Sequence, residues 1–164
     1  ARVTVTAANA GTLQAIGEKA LELGLDGVSY LAANTDSEDA FGRSGPTALP
    51  PVDVGALRDE LEGLRDALPS GFLLDSPAAL ERIWQKYSAD AGEREHTAPR
   101  CDAPYTSVVV GADLQLRPCF FLPPSASAAD GLHTGLTAMA SQRAALDIET
   151  DPTCARCVCW ARLT

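Results

Sequence analysis

The spacing of five cysteines constrains this chain more than any other feature. No cysteine occurs before residue 101, and the five that follow have the pattern C-x17-C-x34-C-x2-C-x-C, at Cys101, Cys119, Cys154, Cys157 and Cys159. A tight C-x2-C step joined to two distant cysteines can supply four sulfur ligands to one metal centre. The spacing leaves three possibilities open: an iron–sulfur cluster, a structural zinc ion, or unrelated free thiols.

The odd number of cysteines also argues against a disulfide scaffold. The opening residues, from Ala1 to Thr6, lack the charged and apolar regions of a signal peptide. We therefore expect reduced thiols in a cytoplasmic protein. Because the chain enters directly at a strand-like segment, we also expect it to be a piece of a longer protein.

The charge of the chain makes several classes of partner unsuitable. The net charge is −9, and residues 1–96 carry 8 Lys and Arg against 16 Asp and Glu. Binding to nucleic acid or to an anionic membrane requires clustered basic residues, and the sequence has no such cluster. No apolar run approaches the roughly 20 residues that cross a bilayer. We therefore predict neither a nucleic-acid partner nor a membrane partner.

The first 88 residues have the pattern of alternating strands and helices. Val3–Ala7 predicts a strand, an apolar face over Leu13–Leu23 predicts a helix, and Asp26–Leu31 predicts a second strand. Strand, helix and strand in succession predict a βαβ unit with parallel strands. Two more helices are predicted after Asp53 and Ser76, whose side chains suit helix N-caps.

The remainder of the chain has a different pattern of predicted elements. Residues 89–100 are polar and read as a linker, which places a domain boundary between the first part and residues 101–164. Strands over Thr106–Val110 and Leu114–Arg117, separated by a short turn, predict a β-hairpin. A helix over Leu136–Leu146 is predicted before the C-x2-C step.

Particular residues in the second part resemble a known family. CDAPYTSVVV from Cys101, DLQLRPCFF from Asp113 and the closing CARC from Cys154 resemble the SPASM domain, or its shorter twitch relative, of radical S-adenosylmethionine enzymes. Arg143 also suits the family. Leu114 departs from it, because glycine usually stands there. VTVTAAN near the start and LGLDGVS at residues 23–29 resemble, more weakly, the late βα units of the radical S-adenosylmethionine barrel.

The resemblance implies an α/β fold. Residues 1–88 would be the C-terminal βα units of a partial TIM-like barrel, 89–100 the linker, and 101–164 a small α+β domain with a β-hairpin and a cysteine knuckle. Asn9, after the first strand, either caps the next helix or faces S-adenosylmethionine in the barrel. The second domain would bind one auxiliary [4Fe–4S] cluster, with Cys159 as an alternative ligand. The implied ligands are Cys101, Cys119, Cys154 and Cys157.

One family motif is missing from the sequence. The catalytic cluster requires C-x3-C-x2-C, and this chain does not contain it. The resemblance therefore implies a parent enzyme in which another barrel half, from the same or another chain, binds S-adenosylmethionine and a second [4Fe–4S] cluster. Such a parent would abstract hydrogen from a substrate, most commonly a peptide or protein. The alternative is a non-catalytic zinc-binding module fused to an α/β fragment.

Overall fold

A computed structural model describes residues 1–33, 50–96, 101–155 and 157. The described residues belong to two compact units. The first unit contains residues 1–33 and 50–96, and the second contains the described residues from 101 onward. Residues 34–52, whose Gly-, Pro-, Asp- and Ser-rich sequence predicts a loop, lie largely outside the described part of the chain.

The first unit begins with the predicted βαβ arrangement. Strand β1 (Arg2–Val5) leads into helix α1 (Leu13–Glu22), which returns to strand β2 (Ser29–Ala32). The two strands are parallel, with Arg2 opposite Ser29 and Val5 opposite Ala32. The parallel pairing predicted from the sequence is confirmed. Helix α1 ends where Gly24 takes a left-handed conformation, with φ of 73°.

Two longer helices complete this unit, and each begins at its predicted cap. Helix α2 (Val54–Ala67) begins after Asp53, which accepts a hydrogen bond from the Ala56 amide. Helix α3 (Pro77–Asp90) begins after Ser76, which caps the Ala79 amide. Helix α3 continues two residues into the predicted linker because its last turn is buried rather than exposed. The buried residues of that turn are Tyr87, Ser88 and Ala89.

Tyrosine hydroxyl groups tie the helices to the strands. The buried hydroxyl of Tyr87, on α3, donates a hydrogen bond to the Val5 carbonyl and accepts one from the Ala33 amide. This one hydroxyl therefore links the carboxyl ends of β1 and β2 to α3. The Tyr30 hydroxyl donates to the Leu13 carbonyl on α1, at 2.8 Å. Because these partners are far apart in sequence, the hydrogen bonds fix tertiary packing rather than local structure.

The second unit is built around a small antiparallel sheet. Its strands are β3 (Val109–Val110), β4 (Gln115–Arg117) and β5 (Ala126–Ser127), in the order β3-β4-β5. The predicted hairpin is present as β3 and β4. However, the first strand is shorter than predicted because Ala103–Thr106 forms a short helix, α4. Strand β5 lies in a segment, residues 123–130, whose Pro-Pro pair and Ser- and Ala-rich sequence predict a loop.

Helix α5 (Leu132–Ala144) covers this sheet, and a short helix α6 (Pro152–Ala155) follows it. Helix α5 begins four residues before the predicted start at Leu136. Gly135 permits its close approach, since a Cβ there would lie 2.3 Å from the Ser127 carbonyl oxygen. Leu116 and Met139 are fully buried and form the centre of the packing.

Leu114, in the turn of the hairpin, has φ of 62°. This left-handed conformation is uncommon for residues other than glycine. The chain therefore adopts a glycine-like backbone at the position where the resembled family usually has glycine. The Asp113 side chain supports the turn by accepting a hydrogen bond from the Gln115 amide.

We expect Asp75→Asn to leave the first unit as stable as the wild type, or more stable, at pH 7. The Asp75 carboxylate accepts the Tyr30 amide proton at 2.7 Å. Burial raises the pKa of Asp75, against opposing effects of that hydrogen bond and of Arg2 and Arg82. The folded state thus binds the titrating proton of the Asp75 carboxyl more tightly than the unfolded state does. The contribution of Asp75 to stability therefore falls as the pH rises from about 4 through the raised pKa.

Asparagine keeps the acceptor and removes the charge, whereas Asp75→Ala leaves the Tyr30 amide without its partner and should cost about 1–3 kcal/mol. Urea unfolding followed by circular dichroism at pH 7 compares the two variants. Equal losses of stability in both would show that the charge itself is needed.

Candidate metal centre

Four of the five cysteines line one cavity in the second unit. The cavity has a volume of about 510 Å³ and is bounded by Cys101, Cys119, Cys154 and Cys157. All four are free thiols, of which Cys101 and Cys154 are buried and the other two half-buried. Cys159 lies outside the described residues. The fold therefore brings together the four cysteines to which the resemblance assigned one cluster.

The rest of the cavity wall is mainly apolar. Between the cysteines lie side chains from α4, from β3 and from the segment after β4. No Lys or Arg is among the described residues that line the cavity. A charged group in this space would therefore have few protein partners of opposite sign. The apolar lining residues are Ala103, Pro104, Val108, Val109, Val110, Phe120 and Phe121.

Local hydrogen bonds hold Cys101 and Cys119 at the ends of short elements. Cys101 stands just before α4, where the Asp102 carbonyl accepts the amides of Tyr105 and Thr106. Cys119 follows Pro118 at the end of β4. The sulfur of Cys119 accepts hydrogen bonds from the amides of Phe121 and Leu122. Cys101 and Cys119 therefore flank the β3–β4 hairpin in the sequence.

The C-x2-C step is organised by α6. Asp151 caps this helix, and its Oδ1 accepts the amides of Thr153 and Cys154, both at 2.9 Å. The Cys157 amide donates to the Cys154 carbonyl at 3.0 Å. The two cysteines thus face the cavity from one tight turn. Asp151 does not emerge as a site residue from the cysteine spacing, although Asp-Pro before a cysteine is the signature of a cap followed by a first-turn proline.

Burial favours the protonated form of two of these thiols, Cys154 and Cys119. Burial raises the pKa of Cys154 to about 12, with further effects of the charge and hydrogen bond of Asp151 and of Cys119 and Cys157. Burial also raises the pKa of Cys119, although the Phe121 and Leu122 amides oppose the shift. A thiolate in this space therefore needs a positive partner, and a metal centre is the usual one.

The donor set fits a sulfur-ligated metal group. Thiolates are soft ligands that select zinc, copper(I) and iron–sulfur clusters. In the part of the chain that the structure describes, however, no three Cys, His, Asp or Glu side chains are close enough to bind a single ion directly. The thiols surround a common space rather than a common point.

Arg143 contacts one residue of the cavity wall. Its guanidinium, on α5, donates a hydrogen bond to the Ser107 carbonyl, and Ser107 lines the cavity. Its Nε is buried and has no hydrogen-bond partner among the described residues. Arg143, which suited the resembled family, thus forms a hydrogen bond to a residue of the cavity wall.

Asn9 lies in the first unit, directly after β1. Its Oδ1 accepts the Thr6 amide at 2.8 Å, and its Nδ2 donates to the Thr4 carbonyl at 3.0 Å. Both ends of the side-chain amide are therefore used in the connection from β1 to α1. The assignment of Asn9 to S-adenosylmethionine stays a prediction.

No family model, curated protein or solved structure matches this chain. The second unit's cysteine geometry therefore has to be interpreted from its own chemistry. Among the described helices, none combines the length and the apolar character needed to cross a bilayer.

In the metal-free protein we expect Cys154 to react slowly with iodoacetamide. Its pKa of about 12, against an ordinary 9.0, lowers the thiolate fraction at pH 8 by roughly a thousandfold. Peptide-resolved mass spectrometry would compare alkylation rates in buffer and in urea. Equal rates for Cys154 in the two conditions would contradict the buried, protonated state.

Proposed function

We propose that the second unit binds one [4Fe–4S] cluster and that the chain is part of a radical S-adenosylmethionine enzyme. The observation that carries this proposal is the shared cavity, whose wall contains Cys101, Cys119, Cys154 and Cys157. These residues span 57 positions of the sequence and come from three separate segments: the residue before α4, the end of β4, and the turn at α6. Unrelated thiols have no reason to converge in this way.

The arrangement of the thiols favours a cluster over a single zinc ion. Among the described residues, no three Cys, His, Asp or Glu side chains are close enough to bind one ion directly. In a four-iron cluster each cysteine binds a different iron, so the four sulfur atoms stand further apart than they do around zinc. Thiols that surround a wide space suit that arrangement.

The residues of the chain divide into three roles at this site. The four thiolates would ligate the cluster, and the apolar wall of valine and phenylalanine side chains would exclude water from it. The amides of Phe121 and Leu122 would continue to donate to the Cys119 sulfur, which stabilises its negative charge. A bound cluster supplies one-electron transfer, and hydrogen bonds to its sulfur ligands tune its potential.

We infer that this chain supports the reaction and does not itself cleave S-adenosylmethionine. The sequence contains no C-x3-C-x2-C motif, so the cluster that cleaves S-adenosylmethionine would lie in another segment or chain. The parallel β1–α1–β2 unit is the kind of unit from which a barrel is built, and a barrel needs several more. We infer a cytoplasmic enzyme whose substrate is a peptide or protein.

A structural zinc module is the second candidate. The C-x2-C turn between Cys154 and Cys157 favours it, because such turns recur in zinc sites. A zinc ion would require the four sulfur atoms to move together to tetrahedral distances. The two candidates therefore differ in stoichiometry, in colour and in the extent of rearrangement on binding.

The decisive measurement is anaerobic reconstitution with iron and sulfide, followed by analysis of iron, sulfide and zinc. We expect about four irons and four sulfides per chain, with a brown absorbance. Cys154→Ala should lose most of this content, because it removes a ligand. Cys159→Ala tests the alternative ligand, and retained iron and sulfide in that variant would leave Cys101, Cys119, Cys154 and Cys157 as the ligand set. One zinc and no iron in the wild type would support the structural module instead.

A further inference from the structure

Asp151 has a special position beside the candidate ligands. One of its carboxylate oxygens accepts two amides, those of Thr153 and Cys154. Its charge also acts on two of the thiols, Cys154 and Cys119, which belong to different elements.

Asp151 is also the centre of a continuous hydrogen-bonded segment. Its amide donates to the Asp147 carbonyl, and its own carbonyl accepts the Ala155 amide. The Tyr105 hydroxyl, next to the Cys101 side of the cavity, donates to the Leu146 carbonyl at 2.8 Å. The turn that carries Cys154 and Cys157 is therefore anchored to α4 through the segment that Asp151 organises.

The charge and the hydrogen bonds of Asp151 have opposite effects on a loaded site. Its hydrogen bonds hold Cys154 towards the cavity, which favours binding. Its negative charge opposes binding, since neutral thiols must release protons and the loaded site gains negative charge. The same charge opposes reduction of a bound cluster, because reduction adds another negative charge in a space of low polarity.

We propose that Asp151 is a positioning residue that orients the Cys154–Cys157 turn for metal binding and holds the reduction potential of the loaded site low. The role rests on the proposed function, because it presumes that the four thiols bind metal. Asparagine can keep the two hydrogen bonds through Oδ1 while removing the charge. Alanine removes both. The two variants therefore separate orientation from charge.

Cobalt(II) is a suitable first probe, because its thiolate charge-transfer absorption reports sulfur ligation without requiring a cluster. We expect Asp151→Asn to bind Co²⁺ more tightly than the wild type, and Asp151→Ala to bind it at least tenfold more weakly than Asp151→Asn. Asp130→Asn is the matched control, because Asp130 is exposed and does not act on Cys119 or Cys154. It should bind Co²⁺ as the wild type does.

The second readout is the midpoint potential of the anaerobically reconstituted full chain. We expect Asp151→Asn to keep the wild-type iron content and to favour reduction by about tenfold, which is 59 mV for a one-electron couple. Asp130→Asn should not move the potential. This readout distinguishes a role at the site from a purely structural one.

Three results would overturn the inference. Equal Co²⁺ affinity in Asp151→Asn and Asp151→Ala would exclude orientation, and an unchanged potential in Asp151→Asn would exclude the effect of charge. Loss of iron from Asp151→Asn would show that Asp151 is itself a ligand. By contrast, normal Co²⁺ responses in a protein that takes up no iron would refute the proposed cluster and leave the orienting role of Asp151 standing.

Discussion

A thiolate surrounded by apolar side chains requires a positive partner, and this requirement governs the second unit. The described residues that line the cavity include four cysteines and no Lys or Arg. Burial, together with the negative charge of the Asp151 carboxylate, raises the pKa of Cys154 to about 12. The site is thus suited to neutral thiols or to a bound metal group, and unsuited to free thiolates.

The first unit depends on a different kind of interaction. Its strands β1 and β2 have four residues each, so their mutual hydrogen bonds are few. Tyr87 compensates by joining the carboxyl ends of both strands through one buried hydroxyl. Parallel sheets occur almost always with more strands and with both faces covered. This general property supports the proposal that the unit is one part of a larger α/β assembly.

Sequence patterns predicted the elements whose signals are local. Asp53 and Ser76 marked the starts of α2 and α3 correctly, since a cap acts on amides only two or three residues away. Patterns failed for β5 and for the start of α5. A two-residue strand has no periodicity to detect, and Gly131, which caps α5 in a left-handed conformation, gives a weak start signal.

The sequence by itself determined which sulfur donors the chain offers, because the identity and spacing of the cysteines can be read without a fold. It also determined the parallel strand order, through the strand–helix–strand pattern. Only the tertiary structure decided that four thiols share one apolar cavity and that Asp151, which accepts the Cys154 amide, also acts through its charge on Cys119. Such contacts join residues up to 56 positions apart, and only the packing of α4, β4 and α6 brings them together.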